Sequence, residues 1–169
     1  MIVKPKIRLA TFKDLAVIVK IYNQAIISKR ATGDLKEFSL NDRIDWFHKF
    51  STNDYPIYIA ELKNTIVGFA TLSPYRPGRK AMESIAEISF YIDYEYHNLG
   101  IGSALIQHCI DDCPRIEKES LLAILLDINI SSIQLLKKFG FREWGYFPNI
   151  IHIENLTCGQ LVYGLKVKE

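Results

Sequence analysis

Residues 90–105, Phe90-Tyr-Ile-Asp-Tyr-Glu-Tyr-His-Asn-Leu-Gly-Ile-Gly-Ser-Ala-Leu105, decide how the rest of the chain is read. A β-rich segment runs into a loop holding Gly100 and Gly102, and a helical pattern begins at once. Glycine lets the backbone turn sharply and lets a ligand approach the main chain. The first turn of the following helix carries unpaired N–H groups and the positive end of its dipole. That combination suits an anion such as a pyrophosphate, and it also suits a plain tight turn between strand and helix. Two common phosphate fingerprints are missing. The loop has no Gly-Lys-Ser/Thr, and Leu105 stands where a dinucleotide fingerprint needs its third glycine.

Working outward, 86–92 reads as the strand that feeds this loop and 102–112 as the helix that leaves it, its apolar side being Leu105, Ile106, Cys109 and Ile110. Upstream, 7–9 alternates as a strand. Thr11 and Asp14 stand at capping spacing before Leu15, Ile18, Val19, Tyr22 and Ile26 at helical period. Ser39 and Asp42 repeat that signal before a second helix carrying Ile44, Phe47 and Phe50. Segments 57–61 and 66–72 read as strands joined at Lys63-Asn64. Downstream, Pro114 stops the helix, 121–127 reads as a strand, and 130–139 as a helix with Ile133, Leu136 and Phe139 on one side and Gly140 at its end. Segments 142–144 and 160–167 read as closing strands. The expected order is β-α-α-β-β-β-α-β-α-β-β, a mixed α/β (α+β) sheet and not a doubly wound parallel one.

The 169 residues are the length of one domain, and no linker or repeat divides them, so 1–169 is expected to be a single domain. At 49 % apolar and 24 % charged residues the chain is neither disordered nor fibrous. Its longest apolar run, 121–126, is far short of the about 20 residues that a bilayer span needs. A net charge of +2 gives little electrostatic reason to expect nucleic acid. Arg76, Arg79 and Lys80 make a weak basic cluster, fit for a small anion or simply a solvated loop. The first eight residues show no apolar leader, and Cys109, Cys113 and Cys158 are odd in number, so reduced thiols in the cytoplasm are expected. No second Cys/His pair joins Cys109 and Cys113, so no metal is expected.

A second motif follows the loop. Asn129-Ile-Ser-Ser-Ile-Gln-Leu-Leu-Lys-Lys-Phe-Gly-Phe141 places an Asn at a strand end and a short helix ending in Gly-Phe. With both motifs in this order, nearly the whole chain resembles the GNAT N-acetyltransferase superfamily. Residues 97–102 are similar to its Arg/Gln-x-x-Gly-x-Gly/Ala loop, with His97 in the first place. Residues 129–141 are similar to its Asn-x-x-Ser/Ala-x-x-x-Tyr-x-x-x-Gly-Phe, with Leu136 in place of the tyrosine. Ile21-Tyr-Asn-Gln-Ala25, Ser73-Pro-Tyr-Arg-Pro77 and Ala86-Glu-Ile-Ser-Phe-Tyr-Ile92 resemble the phosphinothricin acetyltransferase-like branch.

The resemblance implies acyl transfer from acetyl-CoA to an amine by direct attack, with no metal. It implies that His97, Asn98, Leu99, Gly100, Ile101, Gly102 and Ser103 cradle the pyrophosphate. The backbones of Phe90, Tyr91 and Ile92 would hold the pantetheine arm and the thioester oxygen, as an oxyanion donor requires. Asn129 would bond that arm, cap its helix, or do both. An amine is protonated at neutral pH and needs a base before it attacks. Glu87, a lone carboxylate on an apolar strand at the branch's catalytic position, is the candidate, and an exposed or ion-paired strand Glu is the plain alternative. Glu83 and Asp93 are the fallback bases. Leu136 cannot protonate the leaving thiolate, which leaves water, Tyr91, Tyr146 or unassisted departure.

Arg76 matches a position that the branch associates with a substrate carboxylate. Tyr75, Phe38 and Trp46 are either acceptor-pocket walls or core. Met82-Glu83-Ser84 and Thr157-Cys-Gly-Gln160 depart from the branch, which leaves the acceptor open. The expected substrate is a primary amine on a small molecule such as an amino acid or its analogue. The alternatives are a protein N-terminus or lysine, or a CoA-binding sensor without turnover. The branch is commonly dimeric. Trp144, Tyr146, Phe147, Ile150 and Ile151, expected between the closing strands, would supply a homodimer interface or else pack over the chain's own sheet.

Overall fold

Arg8 ties the start of the chain together. In the computed structural model, which describes residues 4–168, it lies on strand β1 (Lys6–Leu9). Its guanidinium pairs with Asp14 at 2.7 Å and with Glu61 at 2.7 Å. This holds the Asp14 carboxyl well below the ordinary aspartate range. Asp14 also accepts from the Thr11 amide at 2.7 Å, the reciprocal cap that the spacing predicts. Helix α1 (Leu15–Ser28) follows and buries Leu15, Ile18, Val19, Ile21, Ala25 and Ile26.

The second helix is shorter than its periodicity suggests. Ser39 and Asp42 cap as expected, but a 3-10 turn leads only into α2 (Ile44–His48), and Phe50 lies beyond it. The Ser51 hydroxyl accepts from the Asp54 amide, and that side-chain turn competes with a further helical turn. Strands β2 (Ile57–Leu62) and β3 (Thr65–Pro74) join through Lys63 and Asn64, both at positive φ, as a two-residue hairpin turn requires. Next come β4 (Ile85–Ile92), α3 (Ile101–Asp112), β5 (Ser120–Leu126) and α4 (Ile130–Lys138). Gly140, at positive φ, ends α4.

The closing strands correct the sequence reading. They are β6 (Arg142–Ile153) and β7 (Leu156–Lys166), not 142–144 and 160–167, so Trp144, Tyr146, Phe147, Ile150 and Ile151 lie within a strand. Gly145, Pro148 and Asn149 read as breakers. On an edge strand they make bulges instead, with register shifts between Glu143 and Gly145 and between Phe147 and Ile151.

The seven strands form one sheet in the order β1-β2-β3-β4-β5-β7-β6, antiparallel except between β4 and β5. Helices cover both faces. Leu105, Ile106, Cys109, Ile133 and Leu136 from α3 and α4 pack on one, against Ala70, Leu72, Ala86, Ile88 and Leu121. Ile18, Ile21, Ile57, Ile59 and Phe69 form a second cluster on the other, beneath α1 and α2. No helix among the described residues is long and apolar enough to cross a membrane. Cys109, Cys113 and Cys158 are all buried and unpaired.

Candidate active site

The sheet is interrupted at its centre. β4 and β5 pair only at Ile85–Ser120, Ala86–Leu121 and Glu87–Leu122. Beyond Glu87 they part, β4 continuing with β3 to Ile92–Gly68 and β5 with β7 to Leu126–Gln160. The wedge is a cavity of about 890 Å³, walled by Phe90, Tyr91 and Ile92 on one side and by Ala123, Ile124 and Leu125 on the other. Ile21 and Ala25 of α1 and Leu135 and Leu136 of α4 close its flanks. That volume lies at the large end of small-molecule sites, roughly 300–1,000 Å³.

At its mouth stands the start of α3. Gly100 holds φ +80°, where a side chain is strained, and no side chain caps the helix. The first helical bond to close runs from the Ala104 amide to the Gly100 carbonyl, leaving the amides of Ile101, Gly102 and Ser103 without acceptors among the described residues. A Cβ on Gly102 would come within 2.8 Å of Leu135 Cδ2, so this position sets how closely α3 and α4 approach. His97 and Asn98 also line the wedge, and His97 Nε2 lies 3.1 Å from the Ile92 carbonyl, tying the loop back to its strand. Leu99, in contrast, is half exposed and off the lining. Asn129 caps α4, accepting from the Ser132 amide at 3.3 Å, and borders the wedge at the same time.

Glu87 lies where the strands separate, with its side chain on the α1/α2 face alongside those of Ser89 and Tyr91, as strand alternation requires. It makes no hydrogen bond or ion pair among the described residues, and burial pushes its carboxyl above the ordinary glutamate range. Four residues on, the Tyr91 ring meets Tyr22 edge-on at 4.9 Å and stacks on Phe69 at 5.3 Å. Burial also raises the Tyr91 hydroxyl well above the usual phenol range. Tyr22 donates to Asp34, and burial pushes its own hydroxyl up to about 12. The Asn23 side chain holds Phe38 through both backbone groups, at 2.9 and 3.0 Å, which pins the α1–α2 loop over this face.

The other expected residues scatter. Tyr75 is half-buried just past β3, and exposed Arg76 folds its guanidinium back over that ring at 5.5 Å. Glu83 is exposed, away from the wedge. Asp93 is buried as the cap of a 3-10 turn, accepting from the Glu95 amide at 3.1 Å. Leu136 is 1 % exposed, in the core and on the wedge wall. Tyr146 donates to Asp127 at 3.0 Å and is off the lining.

Sequence reasoning gives no role to Arg43 or Asp34, reads Tyr22 only as part of the first helix, and offers Trp144 only for an interface. Arg43 precedes Trp46 by three residues, the one local hint available for it. Trp144 lies across Gly164, which pairs with the Leu122 that pairs with Glu87. A Cβ on Gly164 would fall 1.9 Å from the indole. Gly164→Ala should therefore turn Trp144 off the sheet and cost about 1–3 kcal/mol, seen as a lower urea midpoint and altered tryptophan emission. An unchanged emission spectrum would contradict this placement of the ring.

The fold is shared with known proteins. Residues 19–141 match the family model described as Acetyltransferase (GNAT) family. The chain is 36 % identical over 149 residues to YwnH of Bacillus subtilis, provisionally named a phosphinothricin acetyltransferase, covering 88 % of this chain and 90 % of that one. It is 26 % identical over 144 residues to the L-methionine sulfoximine/L-methionine sulfone acetyltransferase of Salmonella typhimurium, covering 85 % and 84 %. Among solved structures, an N-acetyltransferase from Staphylococcus aureus Mu50 superposes with a TM-score of 0.91 at 32 % identity, covering 97 % of this chain and 99 % of that one. The chain belongs to the GNAT acetyltransferase family and is an acyltransferase of the phosphinothricin acetyltransferase-like type.

Proposed function

We propose that this chain transfers the acetyl group of acetyl-CoA to the primary amine of a small amino-acid-like molecule. One observation carries the reading: the wedge between β4 and β5 has an anion-ready helix start at its mouth, and the unpartnered Glu87 carboxylate stands where the strands part, off the cavity lining but one residue before it begins at Ile88. The amides of Ile101, Gly102 and Ser103 face the pyrophosphate, and the open backbone edge of Phe90–Ile92 takes the pantetheine arm. An N–H of that edge steadies the oxyanion as the thioester carbonyl is attacked. Glu87 removes the ammonium proton, directly or through one water. The amine nitrogen then bonds to the carbonyl carbon, and as the tetrahedral oxyanion collapses the C–S bond breaks and the nitrogen gives up its second proton to water. Leu136 offers no proton, so the thiolate leaves unassisted and takes its proton from solvent.

The names of the relatives favour amino-acid analogues as acceptors. The test is CoA thiol release with L-methionine sulfone, phosphinothricin, free amino acids, polyamines and lysine peptides. Turnover with the amino-acid analogues supports the reading. Turnover with peptides alone would favour a protein acetyltransferase, and tight acetyl-CoA binding without any turnover would favour a sensor.

The protein is also read as a cytoplasmic homodimer. Three reduced thiols fit that compartment. Trp144, Tyr146, Phe147 and Ile150 are 47–53 % exposed on the edge strand β6, an apolar patch fit for a second copy. Light scattering at micromolar concentration should give twice 19.5 kDa, and Tyr146→Glu with Ile150→Glu should return the monomer. A wild-type mass of 19.5 kDa would exclude the dimer.

A further inference from the structure

We propose that Arg43 binds the anionic group of the acceptor, a carboxylate or another oxoanion. The inference rests on the reading of an amino-acid-like acceptor and names the residue that selects it. Arg43 lies in the 3-10 turn ahead of α2, and its guanidinium carbon sits 3.9 Å from the Trp46 ring centre, 4.8 Å from Phe38 and 5.1 Å from Tyr22. Such stacking fixes the plane of the fork and leaves its N–H edge free. That edge has no taker. Among the described residues the side chain makes no hydrogen bond and has no carboxylate within 4 Å. Arg43 and its three rings are not part of the wedge wall, but the cage adjoins it, because Tyr22 meets Tyr91 and Tyr91 lines the wedge. Tyr22 touches Tyr91, which places the cation at the Tyr91 end of the strand face whose other end is Glu87.

A half-buried cation with five donors and no protein acceptor among the described residues has those donors free for water or for a ligand. Arg76 does not compete for that part. It is exposed and lies in the loop past the end of β3, whose last residue Pro74 pairs with Ala86. The base Glu87 is therefore flanked by a stacked cation on one side and a solvated one on the other. A zwitterion presented to this face would place its oxoanion at Arg43 and its ammonium toward Glu87.

The test is a cycle in enzyme and acceptor. Wild type, Arg43→Met and Arg43→Lys are assayed with L-methionine sulfone, with its primary amide, and with phosphinothricin, which carries a second anion. For the sulfone, Arg43→Met should raise KM by roughly 10–100-fold with little change in kcat, and Lys should recover part of the loss. Removing the carboxylate and removing Arg43 abolish one interaction, so the doubly altered pair should lose no more than either change alone. If phosphinothricin alone depends on Arg43, the anion held is the distal one, and the assignment stands with that source.

Equal KM for both the sulfone and phosphinothricin in all three enzymes, or a loss for the sulfone that its amide shares in full, would overturn it. Binding gives a readout separate from turnover. With Trp144→Phe in the background, Trp46 is the sole tryptophan under the guanidinium, and titration with the sulfone should change its emission saturably, an effect that Arg43→Met removes. A protein that acetylates no amino acid refutes the reading of function. A saturable change that survives Arg43→Met refutes the role of Arg43.

Discussion

Gly100→Asp should yield a folded protein that no longer binds acetyl-CoA. The new carboxylate would sit at the mouth of the wedge, beside the three free amides that start α3. Like charges brought together in such a site cost several kcal/mol, so calorimetry should show affinity down by more than about 100-fold. Stability should fall only slightly, because a Cβ here meets nothing within 4 Å and Asp tolerates a left-handed backbone better than most residues. Gly100→Asn is the control. It has the same shape and backbone strain without the charge, and it should keep most of the affinity. Asn and Asp variants that bind equally well would remove this loop from the cofactor site.

Glu87→Gln should lower kcat by roughly 10²–10⁴-fold, the usual contribution of a general base, with acetyl-CoA affinity unchanged. The pH dependence follows from burial. The carboxyl titrates above the ordinary glutamate range, so wild-type activity should fall away on the acid side at a higher pH than a solvated glutamate would give. The glutamine variant should lack that limb. The same burial has a thermodynamic sign. A carboxyl whose folded pKa is raised binds more protons folded than unfolded, so stability declines as pH rises from the ordinary glutamate range through the folded pKa. Glu87→Gln should therefore melt higher than wild type above that window, with the gap closing in acid. A variant of near-normal rate would move the base elsewhere, and identical melting at every pH would show Glu87 to be solvated.

What was legible in the sequence was what the chain writes locally. The Gly100–Gly102 loop, the Asn129 cap and the lone carboxylate at 87 each sit inside a dozen consecutive residues with a recognisable period or punctuation. The order of strands and helices followed from the same signals. The cage around Arg43 was not legible, because its walls come from α1, the following loop and α2, and only packing brings Tyr22, Phe38 and Trp46 to one cation. The seat of Trp144 is hidden for a similar reason, since a glycine twenty residues away on β7 makes it. The length of β6 was misread because proline and asparagine break central strands, whereas an outer strand absorbs them as bulges. Arg76 shows the converse: a residue conspicuous in sequence lies exposed beside its own neighbour Tyr75.

The short seam between β4 and β5 bears on what the protein must avoid. A strand edge with unclaimed N–H and C=O groups is ordinarily a template on which another chain can add itself. Here two such edges face each other inside the molecule, so the hazard is doubled and hidden at once. α1 and α4 close the flanks of this slot, where the side chains of an added strand would have to project above and below its plane. A slimmer chain carrying amides in its backbone asks for less room on those flanks. The same flanking helices that wall the cavity therefore also shelter both open edges from a stray strand.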